Sequence, residues 1–213
     1  MIQHIFWDLD GTLVDSVVDL QTAVNAVRAS QNKPLPPASP QDIRNWIGGG
    51  ARQLVRNAGC QADAGDLQMF HAAYAETGYE GTVLYPGIED VLYDCRDRGQ
   101  SMVVVTNKTR EPTMQILSRL GIADLFAAVH GGDVLRKPDP AALASVALGN
   151  APDQCLMVGD HHTDLAAAVA FECSAAWVRW GYGNRGQEPA RYVCQAVTDL
   201  AQVLAEAPVR TSA

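Results

Sequence analysis

Short apolar runs that end in polar residues alternate, along most of this chain, with longer segments whose apolar positions recur at helical spacing. The first run starts at Ile5 and is interrupted only by alternating carboxylates, so it reads as a buried strand that carries Asp8 and Asp10 at its C-terminal end. Val17, Leu20, Val24 and Val27 then fall at helical intervals, predicting an amphipathic helix over 17–29 that Lys33-Pro34-Leu35-Pro36-Pro37 stops. Further helices are expected over about 40–46, 51–57 and 66–79, with Gly48-Gly49-Gly50 as a loop. No strand is expected between the first one and Leu84.

From Tyr85 the pattern changes. After a Pro86-Gly87 turn, helices are expected over about 88–98, 111–120, 140–148 and 164–171, alternating with strands over 101–105, 127–130, 155–158 and 175–180. A short edge strand near 192–193, a helix over about 200–205 and a loose tail from 208 to 213 complete the expectation. Such alternation predicts an α/β fold: a Rossmann-like, mainly parallel sheet with right-handed crossovers and helices on both faces. Residues 1–15 and 84–213 would form this core. Residues 16–83 would form an all-helical cap domain, inserted after the first strand and lying over the carboxyl ends of the strands, where open α/β sheets bind ligands.

The chain has 213 residues, 47% of them apolar, enough for a domain carrying an insertion. Its formal net charge of −8 argues against nucleic acid, whose binding draws on clustered Lys and Arg. No opening segment has the form of an export signal and no apolar run approaches the ~20 residues of a membrane span, so a cytoplasmic protein without a membrane partner is expected. Cys60, Cys95, Cys155, Cys173 and Cys194 are odd in number and lack a CxxC pair, which suits reduced thiols better than disulfides or zinc.

Polar residues gather where the strands end. Positions i and i+2 of a strand share a face, so bare carboxylates at Asp8 and Asp10 would repel; a cation beside them removes the conflict, and Gly11 lets the backbone turn away. A metal site is the economical reading. Thr106-Asn107 ends the second strand, Gly159-Asp160 a later one, with Asp164 four residues on, and Lys137 lies ahead of a helix in Arg136-Lys137-Pro138-Asp139-Pro140. Taken singly, each also suits a bland role: Asp-x-Asp a turn former, Thr-Asn a turn, Lys137 a surface charge, Gly-Asp-x-x-x-Asp a helix cap with a first-turn acid. His161-His162 beside Asp160 also invites a transition-metal reading.

The stretch Asp8-Leu9-Asp10-Gly11-Thr12-Leu13-Val14-Asp15-Ser16 resembles the first motif of the haloacid dehalogenase-like hydrolases, and the later motifs follow in that family's order. Ile43 to Arg52, Tyr85-Pro86-Gly87, Thr106-Asn107-Lys108, Gly131-Gly132-Asp133, Lys137 to Pro140 and Gly181-Tyr182-Gly183 resemble its phosphoglycolate phosphatase members; His161 departs from their pattern, where Ser is usual. The resemblance implies catalysis by Asp8 as nucleophile, Asp10 as acid and base, Thr106 and Lys137. It implies Mg²⁺ held by Asp8, the Asp10 backbone carbonyl and Asp160, with Asp164 orienting that shell. Asn107, Lys108, Arg44, Gly49 and Arg52 are the candidates for substrate binding, and Arg44, Arg52 or Lys108 would read a carboxylate on the leaving group. Arg44 and Arg52 also suit solvated helix charges.

The resulting expectation is an Mg²⁺-dependent phosphatase for a small phosphorylated metabolite, with 2-phosphoglycolate favoured, working as a monomer or homodimer. The rivals are a phosphatase for another sugar phosphate or pyrophosphate, a phosphomutase, and a catalytically idle regulator that binds a metabolite. A dehalogenase is disfavoured because such relatives lack the second acid that Asp10 supplies.

Overall fold

The computed structural model describes residues 2–206. The tail expected to be loose over 208–213 lies outside the described residues. In chain order the elements are β1 (His4–Trp7), β2 (Val14–Asp15), α1 (Val17–Ser30), α2 (Pro40–Trp46), α3 (Gly50–Asn57), α4 (Ala64–Glu76), β3 (Val83–Leu84), α5 (Ile88–Asp97) and β4 (Ser101–Val105). They continue with α6 (Arg110–Arg119), β5 (Ala128–His130), α7 (Ala141–Ala144), β6 (Cys155–Gly159), α8 (His162–Ala170), β7 (Ser174–Val178), β8 (Tyr192–Cys194) and α9 (Val197–Glu206).

Six strands form one sheet in the order β5-β4-β1-β6-β7-β8, and every pairing is parallel. The chain first builds outward from β1 through β4 to β5, then returns to the other side of β1 for β6, β7 and β8. This reversal leaves a crevice at the carboxyl ends of β1, β4 and β6, the ordinary ligand position in an open α/β sheet. Alternate strand residues point to opposite faces. Ile5, Trp7, Met102, Val104, Leu156 and Val158 therefore join one buried cluster, while Phe6, Val103, Val105 and Met157 join the other. Burial on both faces explains why these strands read as unbroken apolar runs.

Helices α1 to α4 pack on one another, and Leu20, Val24, Ile43, Leu54, Phe70 and Tyr74 of that block belong to the same cluster as the first sheet face. Local signals set their starts. Ser39 and Asp42 cap each other's backbone ahead of α2, with Pro40 in its first turn, and Asp63 accepts the Asp66 N–H ahead of α4.

Three expectations need correction. The chain is not purely helical before Leu84: β2 and β3 pair antiparallel, Val14 with Leu84 and Asp15 with Val83, as a ribbon where the chain enters and leaves the helical block. Each piece is two residues long, too short for strand periodicity, and its partner is distant in sequence. The helix expected over 140–148 is only Ala141–Ala144, because Val146 and Ala147 bond three residues back, to Leu143 and Ala144, and Gly149 then adopts a positive φ. The strand expected over 175–180 ends at Val178. The indole N–H groups of Trp177 and Trp180 are turned to the carbonyls of Asp160 and Thr12, which commits the segment after Val178 to the loop beside the crevice.

Among the described residues no helix is long and apolar enough to cross a membrane. Leu92 of α5 is 0% exposed and Val18 of α1 is 59% exposed. Leu92→Ala is expected to lower the unfolding free energy by about 2–5 kcal/mol, and Val18→Ala by less than about 0.5 kcal/mol. Urea denaturation followed by circular dichroism measures both; equal effects would contradict this description of the core.

Candidate active site

Asp8 follows β1 directly, and its N–H donates to the Val158 carbonyl of β6, which seats it between the two strands. Gly11 then turns with φ 87°, and the place a Cβ would take is filled by the Asp160 carboxylate. Only glycine brings the first loop this close to the end of β6. Asp160 and Asp164 come from the β6–α8 junction, Thr106 to Lys108 from the end of β4, and Lys137 from the loop after β5.

Lys137 reaches across the crevice. Its buried ammonium lies 2.7 Å from Asp8 Oδ1 and 2.6 Å from Asp164 Oδ1, and it donates to the Val105 carbonyl at 2.6 Å. The loop is held from behind by Asn107, whose Oδ1 accepts the Lys137 N–H at 2.9 Å and whose Nδ2 donates to the Lys137 and Gly48 carbonyls. Burial would push Lys137 down, but the charges of Asp164 and Asp8 outweigh it and hold the lysine above its ordinary value, so it is a cation.

Asp8, Asp160 and Asp164 are buried and offer oxygens within 4.8 Å of one another. Burial and the charge of Asp164 raise Asp8 well above the ordinary carboxylate value against the pull of Lys137, and burial with Asp164 raises Asp160 to about 7. Asp160 Oδ2 accepts the N–H groups of Tyr182 at 2.7 Å and Gly183 at 2.8 Å. Asp164 Oδ2 accepts the His161 N–H at 3.0 Å. A hard oxygen donor set with surplus negative charge fits a divalent cation such as Mg²⁺. The soft or nitrogen set of a transition-metal site is not what gathers here, for the His161 ring faces the Gly48 backbone, accepts the Thr163 N–H, and is pushed down to about 4 by burial.

Asp10 stands apart from that cluster. Its Oδ1 accepts the Ser16 hydroxyl at 2.6 Å, and its Oδ2 lies 3.1 Å from Lys108 Nζ. Burial works against the Lys108 charge, but Asp10 and Tyr74 outweigh it and raise the lysine above its ordinary value. Tyr74 of α4 accepts from Lys108 at 2.8 Å and also places its ring under the ammonium, 4.5 Å away. Thr106 is buried beside them, and its Oγ1 accepts the Lys108 N–H at 3.2 Å.

Asp8, Asp10, Thr106, Asn107, Lys108, Lys137, Asp160 and Asp164 all line one cavity, closed from above by the helical block through Leu20, Ile47, Leu54, Phe70, His71 and Tyr74. The three other candidates do not line it. Arg44 pairs with Asp15 Oδ2 at 2.9 Å, Arg52 donates to the Ala62 carbonyl at 2.8 Å, and Gly49 faces its own helix at Gln53 while Gly48 and Gly50 form the wall. Sequence reasoning missed Tyr74 and His71, since an aromatic and a histidine on an amphipathic helix look like packing residues. Helical periodicity puts Tyr74 on the buried face of Phe70 and His71 at its exposed edge, a pattern that does not separate a cavity wall from a core.

A family model described as haloacid dehalogenase-like hydrolase matches residues 5–178. Phosphoglycolate phosphatase of Pseudomonas putida is 37% identical over 214 residues, covering 94% of this chain and 78% of its own. Phosphoglycolate phosphatase 1 of Pseudomonas aeruginosa is 38% identical over 209 residues, covering 92% and 75%. A crystal structure described as a predicted phosphoglycolate phosphatase from Haemophilus somnus superimposes with a TM-score of 0.86 at 29% identity, over 95% of this chain and 97% of that one. The family model spans most of the chain and relatives of this identity cover nearly all of it, so the chain belongs to the haloacid dehalogenase-like hydrolase family.

Proposed function

We propose that the protein is an Mg²⁺-dependent phosphatase that hydrolyses a small phosphomonoester, 2-phosphoglycolate by preference, through an aspartyl-phosphate at Asp8. The observation that carries this reading is the Lys137 ammonium set between Asp8 and Asp164 at the floor of a cavity whose other end holds Asp10 and Lys108. The names of the relatives support the substrate, and residues 16–83 act as the cap over the core formed by 1–15 and 84–213. Buried, unpaired thiols at Cys60, Cys95, Cys155 and Cys194 suit a cytoplasmic setting.

Asp8 and Asp160, with the Asp10 backbone carbonyl, would hold the cation. Asp164, with one oxygen on Lys137 and the other on the His161 N–H, would brace them. When bound, Mg²⁺ supplies positive charge that offsets the carboxylates and the phosphate oxygens. Lys137 occupies Asp8 Oδ1, which leaves Oδ2 to bond to phosphorus while the ester P–O bond breaks. Asp10 gives a proton to the departing alkoxide. As a carboxylate it then takes a proton from the water that attacks the acyl-phosphate, releasing phosphate and restoring Asp8. The Thr106 hydroxyl and the Asn107 backbone donate to the phosphoryl oxygens as charge spreads.

Leaving-group choice falls to the upper half of the cavity. The whole cavity, the space for the phosphoryl group included, has a volume of about 60 Å³, and a single water needs ~10–15 Å³ on the same measure. A two-carbon acid fits this space better than a hexose. Lys108 is the cation in the wall nearest Asp10, positioned by Tyr74 to meet a carboxylate.

Purified protein offered a panel of phosphate esters is expected to show its highest kcat/KM for 2-phosphoglycolate, at least about tenfold above hexose phosphates, and to lose turnover in EDTA. A preference for a large sugar phosphate would defeat the substrate assignment.

The raised value of Asp160 gives a pH test. A carboxyl held at about 7 when folded and 3.8 when not binds its proton more tightly in the folded state. It adds stability fully below about 4, and that contribution disappears as pH rises through about 7. A divalent ion takes the proton's place, so Mg²⁺ should raise the melting temperature by several degrees at pH 8 and by much less at pH 5. Equal shifts at both, or none, would argue against the carboxylate metal site.

A further inference from the structure

Arg44 was a candidate for reading the substrate, yet it does not line the cavity. It leaves α2 of the cap and meets two groups at the neck of the molecule. Its Nη2 lies 2.9 Å from Asp15 Oδ2, in the β2–β3 ribbon, and its guanidinium lies 5.2 Å from the centre of the Tyr182 ring, in the core loop after β7. Burial would raise the Asp15 carboxyl, but hydrogen bonds from Arg44, the Val17 N–H and Tyr182 outweigh it and hold it below the ordinary value, as the anion that Arg44 requires.

Tyr182 is tied at both ends. Its hydroxyl accepts the Ser16 N–H at 2.7 Å and donates to Asp15 Oδ1 at 2.9 Å. Its own N–H donates to Asp160 Oδ2 at 2.7 Å. Ser16 in turn donates its hydroxyl to Asp10 Oδ1 at 2.6 Å. A continuous set of contacts therefore runs from a cap helix, through the ribbon and one tyrosine, to Asp160 on one branch and to Asp10 on the other. A solvated helix charge would need none of these partners.

We infer that Arg44, Asp15 and Tyr182 form a positioning network that couples docking of the cap to the placement of Asp10 and Asp160, and that Arg44 does not contact the substrate. The inference rests on the phosphatase reading. The Arg44–Asp15 pair is partly solvent-exposed, and such pairs contribute little to stability, so its loss should register in turnover and cap dynamics with the protein still folded.

The test compares Arg44→Met and Tyr182→Phe with the unaltered protein on two esters, 2-phosphoglycolate, which carries a carboxylate, and ethyl phosphate, which does not. Each variant should lose about tenfold in kcat/KM, mostly in kcat, by the same factor on both esters, and the double variant should lose little more than either single one. Lys108→Met serves as the contrast: through its contact with Asp10 it should lower turnover of both esters, but it should penalise 2-phosphoglycolate by a clearly larger factor than ethyl phosphate. Hydrogen exchange on the protein without substrate should be about tenfold faster over residues 40–57 in Arg44→Met.

A loss confined to 2-phosphoglycolate would overturn the inference and make Arg44 a substrate-reading residue. No loss on either ester, or additive losses in the double variant, would also overturn it. If the unaltered protein hydrolyses neither ester, the phosphatase reading fails by itself; hydrogen exchange then decides the coupling, with faster exchange supporting it and unchanged exchange overturning it.

Discussion

Asp8, Asp160 and Asp164 lie buried with oxygens within 4.8 Å of one another, and Lys137 is the cation that touches two of them. At that separation two carboxylates repel by about 3–4 kcal/mol even with an effective dielectric constant near 20, a large part of the ~5–15 kcal/mol that holds an ordinary domain folded. The cluster is therefore intolerable as three bare anions. It persists because one ammonium is already in place, because Asp8 and Asp160 are raised toward protonation, and because a divalent ion can take over from those protons. Charge that is costly to gather is suited to a reaction that brings more negative charge into the same space.

The fold is arranged around this constraint. Strand order brings the ends of β1, β4 and β6 side by side, so acids from two strands and the lysine from a third loop converge although they are far apart in sequence. Asn107 fixes the lysine loop from behind and also holds the Gly48 carbonyl of the helical block, linking two walls of the cavity. Gly48 itself adopts a φ of 128° and lies against the His161 ring, a contact a larger residue would prevent. His161 thus acts as a surface on which the Gly48 turn of the helical block rests, which gives a physical use to the residue that departs from the expected pattern.

Much of this was legible beforehand, for identifiable reasons. Strands buried on both faces must be apolar throughout, so 101–105 and 155–158 stood out, and polar residues at their ends marked the crevice. The ribbon was not legible, since two residues at Val14 and two at Val83 carry no pattern until the intervening helices have folded. Arg44 and Lys108 illustrate the limit well. Both are cations near motif residues, and only the tertiary structure sends one to Asp15 outside the cavity and the other to Asp10 within it. Tyr74 and His71 were concealed because a cavity-lining aromatic and a core aromatic share the same helical periodicity.

The claim on which the account depends is that this charge arrangement exists to make Asp8 a nucleophile toward phosphorus. The most direct measurement is mass spectrometry of the Asp10→Asn variant, quenched in acid during turnover of 2-phosphoglycolate with Mg²⁺. The account predicts that the peptide containing Asp8 gains the mass of one phosphoryl group, and that the gain is absent in the Asp8→Asn, Asp10→Asn double variant. An active enzyme whose Asp8 peptide stays unmodified, with phosphate released directly to water, would contradict it.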